Sequence, residues 1–155
     1  TQIRRYLNRV SGPFLDRIDI GVEVPRQDLG MMAAEKSIDE GSFPQTEQRN
    51  SSAVMRARVM EARARQEKRF ADESISYNSQ MTRRQIEEYC RLSGEDAVFL
   101  EKVERQQGIS ARGHGKILKV ARTLADLDGQ AEIGRTQLAE AIGFRSFEKK
   151  YWGSL

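Results

Sequence analysis

The sequence predicts a mainly α-helical fold: a helical bundle over about residues 51–142, preceded by one helix and one strand left from an α/β unit. Three observations predict it. After residue 50, apolar residues recur at 3/4 spacing in several successive stretches, the signature of amphipathic helices. Period-two alternation occurs in one place, residues 18–24. Helix-capping or helix-breaking residues separate the helical stretches.

Taken in order, Ile3, Tyr6, Leu7 and Val10 share one face of a short helix, with Arg4, Arg5 and Arg9 off it. Ser11-Gly12-Pro13 stops that helix. Ile18, Ile20, Val22 and Val24 then alternate against Asp19, Gly21 and Glu23, which predicts a strand with one buried face ended by Pro25. A lone strand has no ladder partner, so it needs another copy or further sheet outside this chain. Residues 26–50 give little to pack and predict a loop, with one short helix near Leu29–Ile38. Ser51 or Ser52 can cap a long helix reaching Phe70, whose apolar stripe is Met55, Val59, Ala62, Gln66 and Phe70. Residues 71–81 connect it, through turn residues Tyr77-Asn78-Ser79, to a helix opened by a Thr82/Gln85 capping box. Ile86, Tyr89 and Cys90 should face inward there. Ser93-Gly94 breaks that helix, and Glu95 to Gln107 forms the next, facing inward through Ala97 or Val98, Leu100 or Glu101, and Val103. Gly108 is its expected terminator. Ser110 caps residues 111–127, where Ile117, Leu118, Val120, Ala121, Leu124 and Leu127 form the strongest apolar stripe of the chain. Asp128-Gly129 ends it. Thr136–Ile142 is a last short helix before an aromatic and basic tail.

Composition excludes several classes. At 38% hydrophobic and 32% charged residues, no run approaches the roughly 20 apolar residues of a membrane span, so no membrane partner is expected. The N-terminal residues hold no apolar signal segment, and one cysteine precludes an internal disulfide; a cytoplasmic setting is the default. A net charge of +3 in 155 residues is too weak alone to imply nucleic acid. The cations do cluster: Arg56, Arg58, Arg63, Arg65, Lys68 and Arg69 surround the stripe of the 51–70 helix against Glu61 and Glu67. That face is either a solvated helix surface or a basic surface for DNA, with Arg63, Arg65 and Arg69 as the candidate contacts.

No glycine-rich phosphate loop of either common pattern occurs, so the chain is not expected to hold a nucleotide unaided. A single histidine, His114, and no second cysteine argue against a metal site. Two arginines stand where a phosphate contact is useful. Arg17 sits between the turn and the strand, at the strand's mouth; an ion pair with Asp16 or Asp19 is the plain alternative. Arg112 sits in the first turn of the best-packed helix, where the helix dipole favours anions and a guanidinium adds a two-pronged donor. A solvent-facing arginine near a cap is the alternative there. Gly113 and Gly115 beside it allow close backbone approach.

The stretches RYLNRVSGPFLDRIDIGVEVPR (residues 5–26) and GISARGHGKILKVARTLADLDG (108–129), followed by LAEAI and FRSF, closely resemble the C-terminal part of magnesium-chelatase-like AAA+ ATPases of the ComM/YifB type. The resemblance runs from Thr1 to about Phe147, with order and spacing both matching. It departs at Phe14, where the family usually has Leu, and at Gly113-His114-Gly115, which is richer in glycine than the usual Ala-Tyr-His. The resemblance implies that Arg17 is an arginine finger reaching a neighbouring subunit's ATP, and that Arg112 is the sensor-2 residue of a helical lid. It also implies ATP and Mg²⁺ as cofactors of a full-length protein, with none expected in this chain, and self-assembly into a ring, expected to be a hexamer.

On this reading residues 1–25 end an ATPase core, 26–50 form a loop, 51–147 form the lid and 148–155 a tail. The chain opens inside a helical segment without an initiator Met, which suggests a piece of a longer protein. That protein is expected to remodel DNA in transformation or recombination. The alternatives are the ATPase subunit of a magnesium chelatase and a stand-alone helical nucleic-acid-binding module.

Overall fold

The computed structural model describes Phe14, residues 17–24 and residues 51–145. The expected helix at 2–10, the turn at 11–13, Asp16, the loop at 26–50 and the tail at 148–155 lie outside the described residues. Five α-helices are described: α1 (Ser52–Arg69), α2 (Arg83–Tyr89), α3 (Gly94–Gln107), α4 (Ala111–Leu127) and α5 (Arg135–Gly143). A single 3₁₀ turn, Asn78–Gln80, lies between α1 and α2.

Local sequence sets the helix ends. Ser51, Ser93 and Ser110 accept backbone N–H bonds at the starts of α1, α3 and α4. Thr82 and Gln85 form the reciprocal capping box expected of them at α2. Gly108 ends α3 at φ +67°, a conformation that costs any side-chain-bearing residue about 1 kcal/mol or more.

The helix with the strongest stripe is the centre of the bundle. α4 packs against α1, α2, α5 and the 3₁₀ turn, while α3 packs on α5. Ile117, Ala121, Ala125, Leu100 and Leu138 are fully buried between them. Burying an Ile or Leu side chain of this kind stabilises by roughly 1.5–3 kcal/mol. The inward face of α3 is resolved to Leu100 and Val103, joined by Phe99, while Val98 points to solvent. Cys90 is buried as a small hydrophobe, with Ile86 and Tyr89 packed against the same core.

Two expectations are corrected. The stripe of α1 is buried only at Ala62, Gln66 and Phe70; Met55 and Val59 are exposed, because the first turns of α1 run past the end of the bundle. Residues 18–24 form no strand. Ile20, Val22 and Val24 are exposed, and no ladder partner exists for them among the described residues. Without one, alternation alone cannot make a sheet. The segment instead lies on the bundle, with the Gly21 N–H donating to the Phe144 carbonyl at 2.9 Å and Arg145 Nη1 to the Ile18 carbonyl at 2.9 Å.

Candidate functional site

The joint between α3 and α4 presents Arg112. Gly108 reverses the chain, the Ile109 N–H returns to the Glu104 carbonyl, and Ser110 Oγ receives the Gly113 N–H at 3.1 Å. Arg112 therefore projects, exposed, from the first turn of α4, and no carboxylate among the described residues pairs with it. Gly113 is buried beneath that turn. A side chain there would begin 2.7 Å from Ile109 Cγ2, so Ile109 occupies the space that only glycine leaves. Close packing explains this glycine. Gly115 likewise faces Ile86, at 3.4 Å from where its side chain would begin.

His114 fixes the same turn from the other side. Its Nδ1 lies 2.6 Å from Glu104 Oε1, so it bridges α4 to the last turns of α3 as a structural contact. One turn beyond Arg112, Lys116 reaches out of the bundle and meets Asp19 at 2.7 Å. Arg17 is two residues before Asp19. It is exposed, and Asp19 is engaged by Lys116. The ion pair with Asp19 weighed for Arg17 is therefore not formed. The structure thus brings the segment carrying Arg17 against the helix carrying Arg112, although 94 residues separate the two arginines in the chain.

Beside Arg112 lies an open groove of about 990 Å³ between α2, α3 and α4. Ile86, Leu100 and Leu118 contribute its apolar lining, and the cations Arg83, Arg112, Lys116 and Lys119 share its polar lining with Glu87, Glu101 and Glu104. Lys119 also donates to the Ser79 carbonyl at 2.9 Å. Cys90 borders the groove, but burial pushes its thiol up to about 11, so it is a thiol and not a thiolate at neutral pH. Among the described residues no group of three or more His, Cys, Asp or Glu is placed to hold a metal ion. Of these cations Arg83 is paired with Glu87, Lys116 with Asp19 and Lys119 with a carbonyl, so the exposed Arg112 guanidinium is the group best placed to meet an anion from outside.

The three arginines proposed for DNA fall into different places. Arg69 points inward: it grips both oxygens of the fully buried Asp126 and donates to Asn78 Oδ1 at 3.1 Å. Arg65 donates to the Asp126 backbone carbonyl at 2.9 Å. Arg63 stays at the surface with its guanidinium 5.2 Å from the centre of the Tyr77 ring. Arg65 and Arg69 thus join α1 to α4. Asp126, Arg122 and Asn78 complete this buried polar cluster, and sequence reading missed all three. The Arg122/Asp126 pair, one turn apart on the apolar stripe of α4, was the signal that could have found it. Arg145 was missed as well, although FRSF was one of the matched motifs.

A family model described as the C-terminal part of magnesium chelatase subunit ChlI matches residues 49–145, and one described as magnesium chelatase subunit ChlI matches residues 1–32. The chain is 41% identical over 146 residues to the competence protein ComM of Haemophilus influenzae, covering 94% of the chain and 26% of that protein. It is 39% identical over 148 residues to the uncharacterized protein YifB of Escherichia coli, covering 96% and 26%. The chain therefore spans about a quarter of the length of the curated relatives it matches.

Proposed function

Since the chain belongs to the magnesium-chelatase-like family of ComM and YifB, we propose that it supplies two arginine contacts to ATP hydrolysis in an oligomeric AAA+ ring. Arg17 acts as the finger toward a neighbouring subunit's ATP, and Arg112 as the sensor-2 contact to the γ-phosphate. The observation that carries the reading is the Asp19–Lys116 pair at 2.7 Å, which sets the Arg17 segment on the helix that presents Arg112. Two exposed guanidiniums, on a segment and a helix that touch each other, suit a shared task at a phosphate held by another subunit. Positive charge supplied there stabilises the charge that develops on the transferred phosphoryl group. When bound, Mg²⁺ and ATP would be held by a phosphate loop outside these residues; this chain contributes the two cations and the rigid helix that aims one of them.

Arg17→Ala in the full-length protein should lower kcat by on the order of 10³ while ATP binding persists. Mixing that variant with one disabled in the phosphate loop should restore part of the activity, since finger and pocket belong to different subunits. No rescue at any ratio refutes action in trans. For the ring as a whole we propose, with a relative named a competence protein, that the hydrolysis drives DNA remodelling in transformation or recombination. The family models' descriptions favour a second reading, the ATPase subunit of a magnesium chelatase. Stimulation of the ATPase by DNA, against stimulation by a porphyrin with its chelatase partners, separates the two.

A further inference from the structure

We propose that Arg145 is a positioning residue that fastens the Arg17 segment to the helix start carrying Arg112, so that the two arginines move as one unit. The inference rests on the reading of those arginines as phosphate contacts.

Arg145 follows directly on the last turn of α5 and is only 4% exposed. Burying a guanidinium is costly unless its donors are used. Here one of them is used across the fold: Nη1 donates to the Ile18 carbonyl, the residue next to Arg17, at 2.9 Å. Its Nε lies 3.8 Å from the point where a Gly113 side chain would begin, one residue from Arg112. The same guanidinium therefore touches both neighbourhoods. That distance is ordinary packing contact, so Arg145 lies against this turn, while Ile109 at 2.7 Å is the neighbour that requires the glycine.

Two further bonds close the arrangement. The residue before Arg145, Phe144, accepts the Gly21 N–H through its carbonyl at 2.9 Å, and Lys116 holds Asp19 at 2.7 Å. Residues 18–21 are thus clamped at three points, two from the end of α5 and one from α4. None of the three uses the Arg17 side chain, which stays exposed. Of the three, the Lys116–Asp19 pair is the most open to water, since the Asp19 side chain is 62% exposed, and such pairs contribute little alone. The charge-assisted bond from a buried arginine is the stronger tie. A planar fork can serve a carbonyl on one side while its stem packs under a glycine; a lysine offers only a single point of donation.

The test has two parts. In the 155-residue chain, hydrogen exchange at the Gly21 amide should quicken by about ten-fold or more in Arg145→Met, as expected for loss of one charge-assisted bond, while the amides of α4 from Ile117 to Ala125 keep their protection. Unchanged exchange at Gly21 with the bundle intact overturns the proposal. Should Arg145→Met melt the bundle, Arg145→Lys, which keeps the charge but loses the fork, carries the same expectation and the same refutation. In the full-length ATPase, Arg145→Met should lower kcat by on the order of 10²-fold with little change in KM for ATP, as for a displaced catalytic contact. Combined with Arg17→Ala it should lower kcat no further than Arg17→Ala alone. Fully multiplicative losses overturn the coupling. If Arg17→Ala itself leaves kcat at the wild-type value, the phosphate reading of Arg17 fails, while the exchange measurement still decides whether Arg145 holds the segment.

Discussion

Replacing Asp126 by alanine tests the polar cluster that joins α1 to α4. Asp126 is fully buried, and its carboxylate accepts two bonds from Arg69 and one from Asn78 Nδ2 at 2.8 Å, and forms an ion pair with Arg122 Nη2 at 3.2 Å. The Arg122 side chain is 3% exposed and would keep only the carbonyls of Ala131 and Gln130, both at 2.7 Å. Arg69, at 16%, lies nearer to water and would keep Asn78 Oδ1. Removing one partner of a buried pair costs about 3–5 kcal/mol, because the charge left behind stays desolvated. Two cations are stranded here, one able to rehydrate in part and one not, so Asp126→Ala should cost about 4 kcal/mol. That is a large fraction of the roughly 5–15 kcal/mol that holds a domain together. Urea unfolding of the chain, followed by far-ultraviolet circular dichroism, measures it. A loss below about 1 kcal/mol, the scale of one neutral hydrogen bond, would refute the reasoning. So would strict additivity between Asp126→Ala and Arg69→Ala, since residues in contact should couple by roughly 0.5–3 kcal/mol.

Two other outcomes follow from the same geometry. If α1 contacts DNA, the contact should come from its exposed cations, so Arg56→Glu with Arg63→Glu should weaken binding and flatten its salt dependence by about one unit per lost phosphate contact, with an unchanged slope returning the face to plain solvent; Arg69→Glu would instead unfold the bundle and is the wrong probe. Acid should destabilise the bundle only below about pH 4. Burial is the largest influence on Asp126 and opposes ionisation, but the bonds from Arg69 and Asn78 and the charges of Arg69 and Arg122 outweigh it and hold the carboxyl below its usual value. At Asp96 the bond from Arg135 lowers the carboxyl against the effect of burial. Groups lowered in the folded state stabilise fully above the unfolded carboxylate value near 3.9, and that stability is lost as pH falls through the folded values. Thermal melts between pH 7 and pH 2 read this directly, and a steep loss of stability between pH 7 and pH 5 would show that other groups govern it.

The helices were legible because their signals are local. Ser51, Thr82 with Gln85, Ser110 and Gly108 act within four residues of themselves, and 3.6-residue periodicity is a property of one segment. Arg17 and Arg112 stood out by position, one at a turn and one at a helix start. The contact between the segment of Arg17 and the helix of Arg112 was not legible, because it depends on a lysine meeting an aspartate 97 residues away and on Arg145 meeting a carbonyl 127 residues away. The arginines of α1 show the same limit. From spacing alone Arg63, Arg65 and Arg69 are three cations beside one stripe, yet the fold turns Arg69 into the bundle and leaves Arg63 on Tyr77.

Sequence by itself determined the mainly helical class, the caps, the central helix and the family, since periodicity, capping and ordered motifs are written in consecutive residues. Only the tertiary structure decided that residues 18–24 lie on the bundle without strand pairing, and that Asp126 gathers Arg69, Arg122 and Asn78. The physical reason is the same for both. A strand exists only with a ladder partner, and a buried charge is tolerable only with its bonds satisfied. Those partners are chosen by packing across the fold, at separations along the chain that no local pattern records.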